Sequence, residues 1–101
     1  MSVSIKKLSD DVFEVTVAKT STTTHTVRVS VQSVSDLSDS NVTKIQLLEF
    51  SLRFLLEREP NTSILSSFDI NVITKYVPDY REEVRRWCDA SLYLYLTVPS
   101  K

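Results

Sequence analysis

His25 is the only histidine and Cys88 the only cysteine in a chain of 101 residues. A single histidine excludes a His–His metal pair and a two-histidine relay within one chain. His25 opens "HTVRVSV" on the apolar side of an alternating run, so two roles compete: a proton-transfer group, or a strand-end histidine bonded to nearby backbone. The bonded role is preferred. Cys88 follows Trp87 in a helical run. A reactive thiolate needs an electropositive, partly exposed setting. Arg85 and Arg86 fall on the other side of that helix, so Cys88 is expected to act as a small buried hydrophobe.

The third candidate is "EREP", Glu57 to Pro60, at the end of a helical run, with Asp69 nine residues beyond Pro60. Two acids at a helix C-terminus oppose the helix dipole. Either Arg53 or Arg58 pairs with Glu57 or Asp69 and pins a corner, or the cluster binds a ligand. A buried Arg–carboxylate clamp at a structural corner formed by Arg53, Glu57, Arg58 and Asp69 is the preferred reading. Paired carboxylates without a neighbouring histidine or a third acid at metal spacing are poor evidence of catalysis. Asp69 is explained by capping of the apolar turn that follows it. A basic set, Lys75, Arg81, Arg85 and Arg86, would suit nucleic acid. Glu82, Glu83 and Asp89 dilute it, and a solvated helix with a Glu82–Arg86 pair is expected instead.

Three kinds of element must position these residues. The first third alternates. Val3 and Ile5 share a face, "SDD" at Ser9–Asp11 marks a turn, and Phe13, Val15 and Val17 face one way. "TSTTT" reads as a polar connection, after which His25, Val27, Val29 and Val31 share a face. Period two with β-branched residues means strands, and short connections make them antiparallel neighbours. The period then changes. Asp39 or Ser40 is a natural N-cap for a long helix that ends before Pro60. It carries two apolar stripes, one through Ile45, Leu48, Leu52, Leu55 and Leu56, the other through Leu47, Phe50 and Phe54. One stripe covers the sheet. The other needs later helices or a second chain. Asn61 or Thr62 caps a short turn, and Asp69 the next. Pro78 fits the first turn of a last helix with Val84, Trp87 and Cys88 on its inner side.

The tail "SLYLYLTVPSK" reads two ways. At period two, Leu92, Leu94, Leu96 and Val98 oppose Tyr93 and Tyr95; at period 3.6 the helix continues. The clustered aromatic residues and Pro99 favour an extended segment or strand over residues 91–101, after a single α+β domain at 1–90.

"FLLEREPNTSILSSFDINVITKYVPDY" resembles a family of small, uncharacterised prokaryotic proteins with no assigned activity. The shared positions are Phe54 to Pro60, Ser63 to Leu65, Phe68, Asp69, Ile73, Tyr76, Pro78 and Tyr80. The likeness covers about a quarter of the chain closely and "TTTHTV" more loosely, and does not reach past Cys88. It implies the same organisation and carries no activity with it.

Composition narrows the function further. The hydrophobic share of 42% marks a folded domain. The net charge of -1 is spread evenly, so no polyanion-binding arm is present. The chain has no glycine, which excludes Walker and dinucleotide phosphate loops and leaves positive-φ turns to Asn, Asp and Ser. A lone cysteine, no signal-like start and no transmembrane-length run predict a cytoplasmic protein.

The expectation is α+β: an antiparallel sheet of two or three N-terminal strands, a long helix, two or three shorter helices and a possible C-terminal strand. The expected function is a non-enzymatic protein-interaction module, a homodimer or an assembly subunit, with no cofactor. Phe50, Phe54, Trp87, Leu92, Tyr93, Leu94 and Tyr95 are the candidate contacts. A nucleic-acid-associated regulator is the alternative, and a small enzyme or ligand binder at the Glu57/Arg58/Asp69 corner a second.

Overall fold

The structure, a computed structural model, describes residues 2–38 and 42–97, and only the backbone of 90–97. Strands β1 (Ser2–Lys7), β2 (Val12–Ala18) and β3 (Thr22–Arg28) form an antiparallel meander. A fourth strand, β4 (Ser67–Asp69), joins the far side of β3 in parallel, so the sheet is mixed and ordered β1-β2-β3-β4. Parallel neighbours need a long crossover. Here it contains two helices, α1 (Val31–Leu37) and α2 (Lys44–Leu56). After β4 come a 3₁₀ turn (Ile70–Val72), the short helix α3 (Ile73–Tyr76) and α4 (Tyr80–Thr97).

The α+β order of strands first and helices after holds, with corrections. The strand expected through Val31 stops at Arg28. Val29 is fully buried, but Ser30 caps α1 by accepting from the Ser33 amide at 3.1 Å, and Val31 is 70% exposed. Thr22 to Thr24 belong to β3 and not to a connection. Asp39 and Ser40 lie outside the described residues. Helix α2 starts from Thr43, whose hydroxyl accepts from the Gln46 amide while the Gln46 side chain accepts from the Thr43 amide. This reciprocal box satisfies two amide donors that the first turn would otherwise leave bare. Among the described residues none has positive φ, so these turns close without the left-handed backbone expected of Asn, Asp and Ser.

The longest correction is at the end. The run Ser91–Thr97 is helix, the continuation of α4, and not the favoured extended segment. Backbone alternation was the wrong period there. The possible C-terminal strand does not form over those residues, and 98–101 lie outside the described residues.

The core lies between one sheet face and the helices. Phe13, Val15, Val17 and Val27 point up from the sheet to Leu47, Leu48 and Leu52 of α2, all buried. The second stripe of α2 finds its partner inside the same chain, in α4. Phe54 is 4% exposed and lies 5.3 Å from the Tyr80 ring. Phe50 stacks on Trp87 at 4.8 Å. Lys44 anchors the start of α2 to the β1–β2 turn, reaching the Asp10 carbonyl and the Asp11 carboxylate, both at 2.7 Å. The bond from Lys44 holds the Asp11 carboxyl below its ordinary value against partial desolvation, helped by the charges of Lys44 and Arg28.

Candidate interaction surfaces

α2 ends at Leu56 with Glu57 as its C-cap, and Pro60 precedes a 3₁₀ turn at Asn61–Ser63. Asn61 is buried, and its amide nitrogen donates to the Ser21 carbonyl at 2.9 Å and the Thr23 hydroxyl at 3.0 Å, with the Val17 carbonyl at 3.4 Å. The short turn after α2 is thereby locked beneath the β2–β3 loop. His25 continues the chain of bonds. Its Nδ1 lies 2.8 Å from the Leu65 carbonyl, which can only accept, so Nδ1 carries a proton. Nε2 lies 2.8 Å from the Thr23 hydroxyl. With neutral imidazole, Thr23 donates to Nε2 while accepting from Asn61. All four groups are then satisfied in sequence: Asn61, Thr23, His25, Leu65. His25 is 2% exposed, on β3 between β2 and β4. It is the backbone-bonded histidine of the preferred reading, now in the middle of a sheet.

The Glu57/Arg58/Asp69 corner does not assemble. Arg58 is 36% exposed and Glu57 76%, 3.7 Å apart, so the expected buried clamp is a solvated pair. Arg58 instead turns three ways. It donates to the Phe54 carbonyl at 3.1 Å, covers the Phe54 ring at 3.7 Å and reaches Asp79 at 3.5 Å. A cation bonded to a terminal carbonyl offsets the dipole that Glu57 and Glu59 oppose. The partner the sequence reading missed is Asp79, brought there by the start of α4. Arg53 lies on the other, exposed side of α2. Asp69 accepts from the Asn71 amide at 2.9 Å and caps the 3₁₀ turn. Asp69→Ala is expected to cost about 1 kcal/mol in a urea melt, the value of a lost cap. His25, Arg58 and Asp69 are each held by a different group: the Leu65 carbonyl, the Asp79 carboxylate and the Asn71 amide.

The basic set is likewise divided. Arg86 is held by Glu82 at 2.8 Å and Glu83 at 3.1 Å, as the spacing predicts, and Arg81 lies 3.4 Å from the Asp36 carbonyl. Cys88 is half-buried. Of the candidate contacts, Phe54 belongs to the core, and Phe50 and Trp87 are half-buried against each other. They are not a free surface. Leu92, Tyr93, Leu94 and Tyr95 are positions on the last turns of α4.

Recesses that no residue pattern announced open on the surface, and two of them are mainly apolar. One, of about 360 Å³, lies between Leu55 and Glu59 at the end of α2, Ile64, Leu65 and Phe68 around β4, and Val72, Ile73, Tyr76 and Val77. Leu65 is 49% and Tyr76 72% exposed at its rim. The other, of about 540 Å³, lies between β1 and the outer side of α2, lined by Val3, Ile5, Ile45, Glu49, Leu52 and Arg53. No helix among the described residues is long and apolar enough to cross a membrane. The molecule is an α+β domain with apolar recesses on its described surface. No family model, curated protein or solved structure matches the chain.

Proposed function

We propose that the protein is a non-enzymatic, cytoplasmic protein-interaction module, whose contact element is the end of α4. One observation carries this reading: Ser91–Thr97 is helical. In a helix, successive positions turn about 100° around the axis. Leu92, Tyr93, Leu94, Tyr95 and Leu96 therefore encircle α4, and no charged residue lies between Asp89 and Lys101. A helix apolar on all sides belongs in an interior. The body of a single domain can flank such a segment on one side only, so a protein partner, self or other, supplies the rest. Had the run been a strand, one face of leucines would have satisfied one sheet and left little to explain. The single, half-buried cysteine suits a reducing compartment.

Deleting residues 91–101 is the test. The full-length chain is expected to show in light scattering a mass above one copy, alone or with a co-purified protein, and the deletion to lower it. A truncated chain that keeps the same mass overturns the reading.

A further inference from the structure

We propose that β1 is a self-association edge, covered by β1 of a second copy running antiparallel about a two-fold axis at Ser4. This goes beyond the α4 reading and does not depend on it. The sheet has two edges. β4 is only three residues long, whereas β1 is six, and its pairing to β2 runs without interruption from Ser2 to Lys7. β1 contains no proline and no bulge, so its outer side offers an unbroken row of backbone donors and acceptors.

The side chains beside that row are self-complementary. Val3 and Ile5 lie on the α2 face of the sheet, opposite Val17 and Val15. With the axis at Ser4, Val3 of one copy stands opposite the partner's Ile5, twice. β-branched pairs of this kind stabilise antiparallel neighbours. On the other face Ser2 stands opposite the partner's Lys6, so Lys6 meets no like charge there. Val3 is 36% and Ile45 42% exposed beside this edge, which is apolar surface that a second copy would cover.

The charges of α2 agree with the same axis. Lys44, at the start of α2, is bound beside Asp10 and Asp11, just past the end of β1. The other end of α2 leads to Asn61, bonded beneath Val17 and Ser21, near Ala18, which pairs with Ser2. Helix and strand thus run antiparallel over nearly equal lengths, each about 20 Å. Ser4 falls level with the middle of α2, between Glu49 and Arg53. Both are exposed, both line the recess, and neither is in an ion pair among the described residues. Across the two-fold axis Glu49 faces the partner's Arg53, and Arg53 the partner's Glu49. An isologous interface requires this kind of self-matching.

The test uses the full chain in sedimentation across a range of concentrations, with hydrogen exchange of the β1 amides read alongside. Wild type is expected to dimerise, with β1 exchange slowing as the dimer fills. Glu49→Arg sets like charges against each other twice and is expected to weaken the dimer roughly tenfold. The swap Glu49→Arg/Arg53→Glu restores both pairs and is expected to recover the wild-type constant. A chain that stays monomeric, β1 amides that exchange at one rate at all concentrations, or a dimer indifferent to Glu49→Arg overturns the proposal. A dimer that ignores Glu49→Arg but is lost on deleting 91–101 overturns it in favour of α4 alone. Loss with Glu49→Arg and retention on that deletion supports β1 and fails α4.

Discussion

Ser51→Ala is expected to destabilise the protein more than Tyr80→Phe, although both remove the same hydrogen bond. Ser51 sits in the middle of α2 and is fully buried, as is Tyr80 at the start of α4. The serine hydroxyl gives its one proton to the Leu47 carbonyl at 2.7 Å. The short contact between Ser51 and Tyr80 must therefore use the phenol proton. Removing the phenol oxygen leaves Ser51 still bonded to Leu47, so Tyr80→Phe should cost about 1 kcal/mol. Removing the serine hydroxyl leaves the phenol proton buried and unpaired, at about 2 kcal/mol. Tyr80→Ala also empties the space against Phe54 and should cost about 4 kcal/mol. Urea midpoints at neutral pH check the order. An equal loss in Ser51→Ala and Tyr80→Phe would show that the phenol is not the donor.

The same tyrosine sets an alkaline limit. Burial, opposed by the bond to Ser51, raises the Tyr80 phenol from 10.0 to about 12. The folded state thus holds a proton that the unfolded chain releases first. The sign follows: the contribution of neutral Tyr80 is whole below pH 10 and is lost as pH rises from 10 to about 12. Two units correspond to about 3 kcal/mol at most. Tyr80→Phe should flatten this loss, a difference readable in thermal melts of the two proteins against pH.

The second large effect belongs to Asn61. Asn61→Asp is expected to cost more than about 3 kcal/mol at neutral pH, and Asn61→Ala about 2 kcal/mol. The native amide donates towards three oxygens, those of Val17, Ser21 and Thr23. A carboxylate has nothing to donate and would face those oxygens with a buried charge. The alanine only removes the donor. Damage should spread along the chain of bonds, because Thr23 also serves His25, which holds the Leu65 carbonyl. Hydrogen exchange over 17–25 and 64–68 should rise together in both variants. Equal stability of the aspartate and alanine variants would refute the donor role.

Neither of these bonds could be read from residue order. Ser51 was one polar residue inside an apolar helix, and Asn61 a candidate cap after a proline. Ser51 and Tyr80 are twenty-nine residues apart, and Asn61 and Ser21 forty. Their partners are decided by which elements touch. The period-two runs through Val15, Val17 and Val27, and the apolar stripes of α2, are local consequences of backbone geometry, and they determined three strands and a buried helix, which stops before Pro60. The capping of the turn after Asp69 and the Glu82–Arg86 pair were local in the same sense, spanning two and four residues. β4 was beyond reach because three residues show no period, and their pairing with β3 depends on a crossover of two helices. The corner at Glu57 failed for a related reason: Arg58 had carboxylates nearby in sequence, but the packing of α4 on α2 brought Asp79 instead. Short-range order follows from side-chain period and capping chemistry. Which stripe meets which, and which surfaces remain open, follows only from the burial of the whole chain at once.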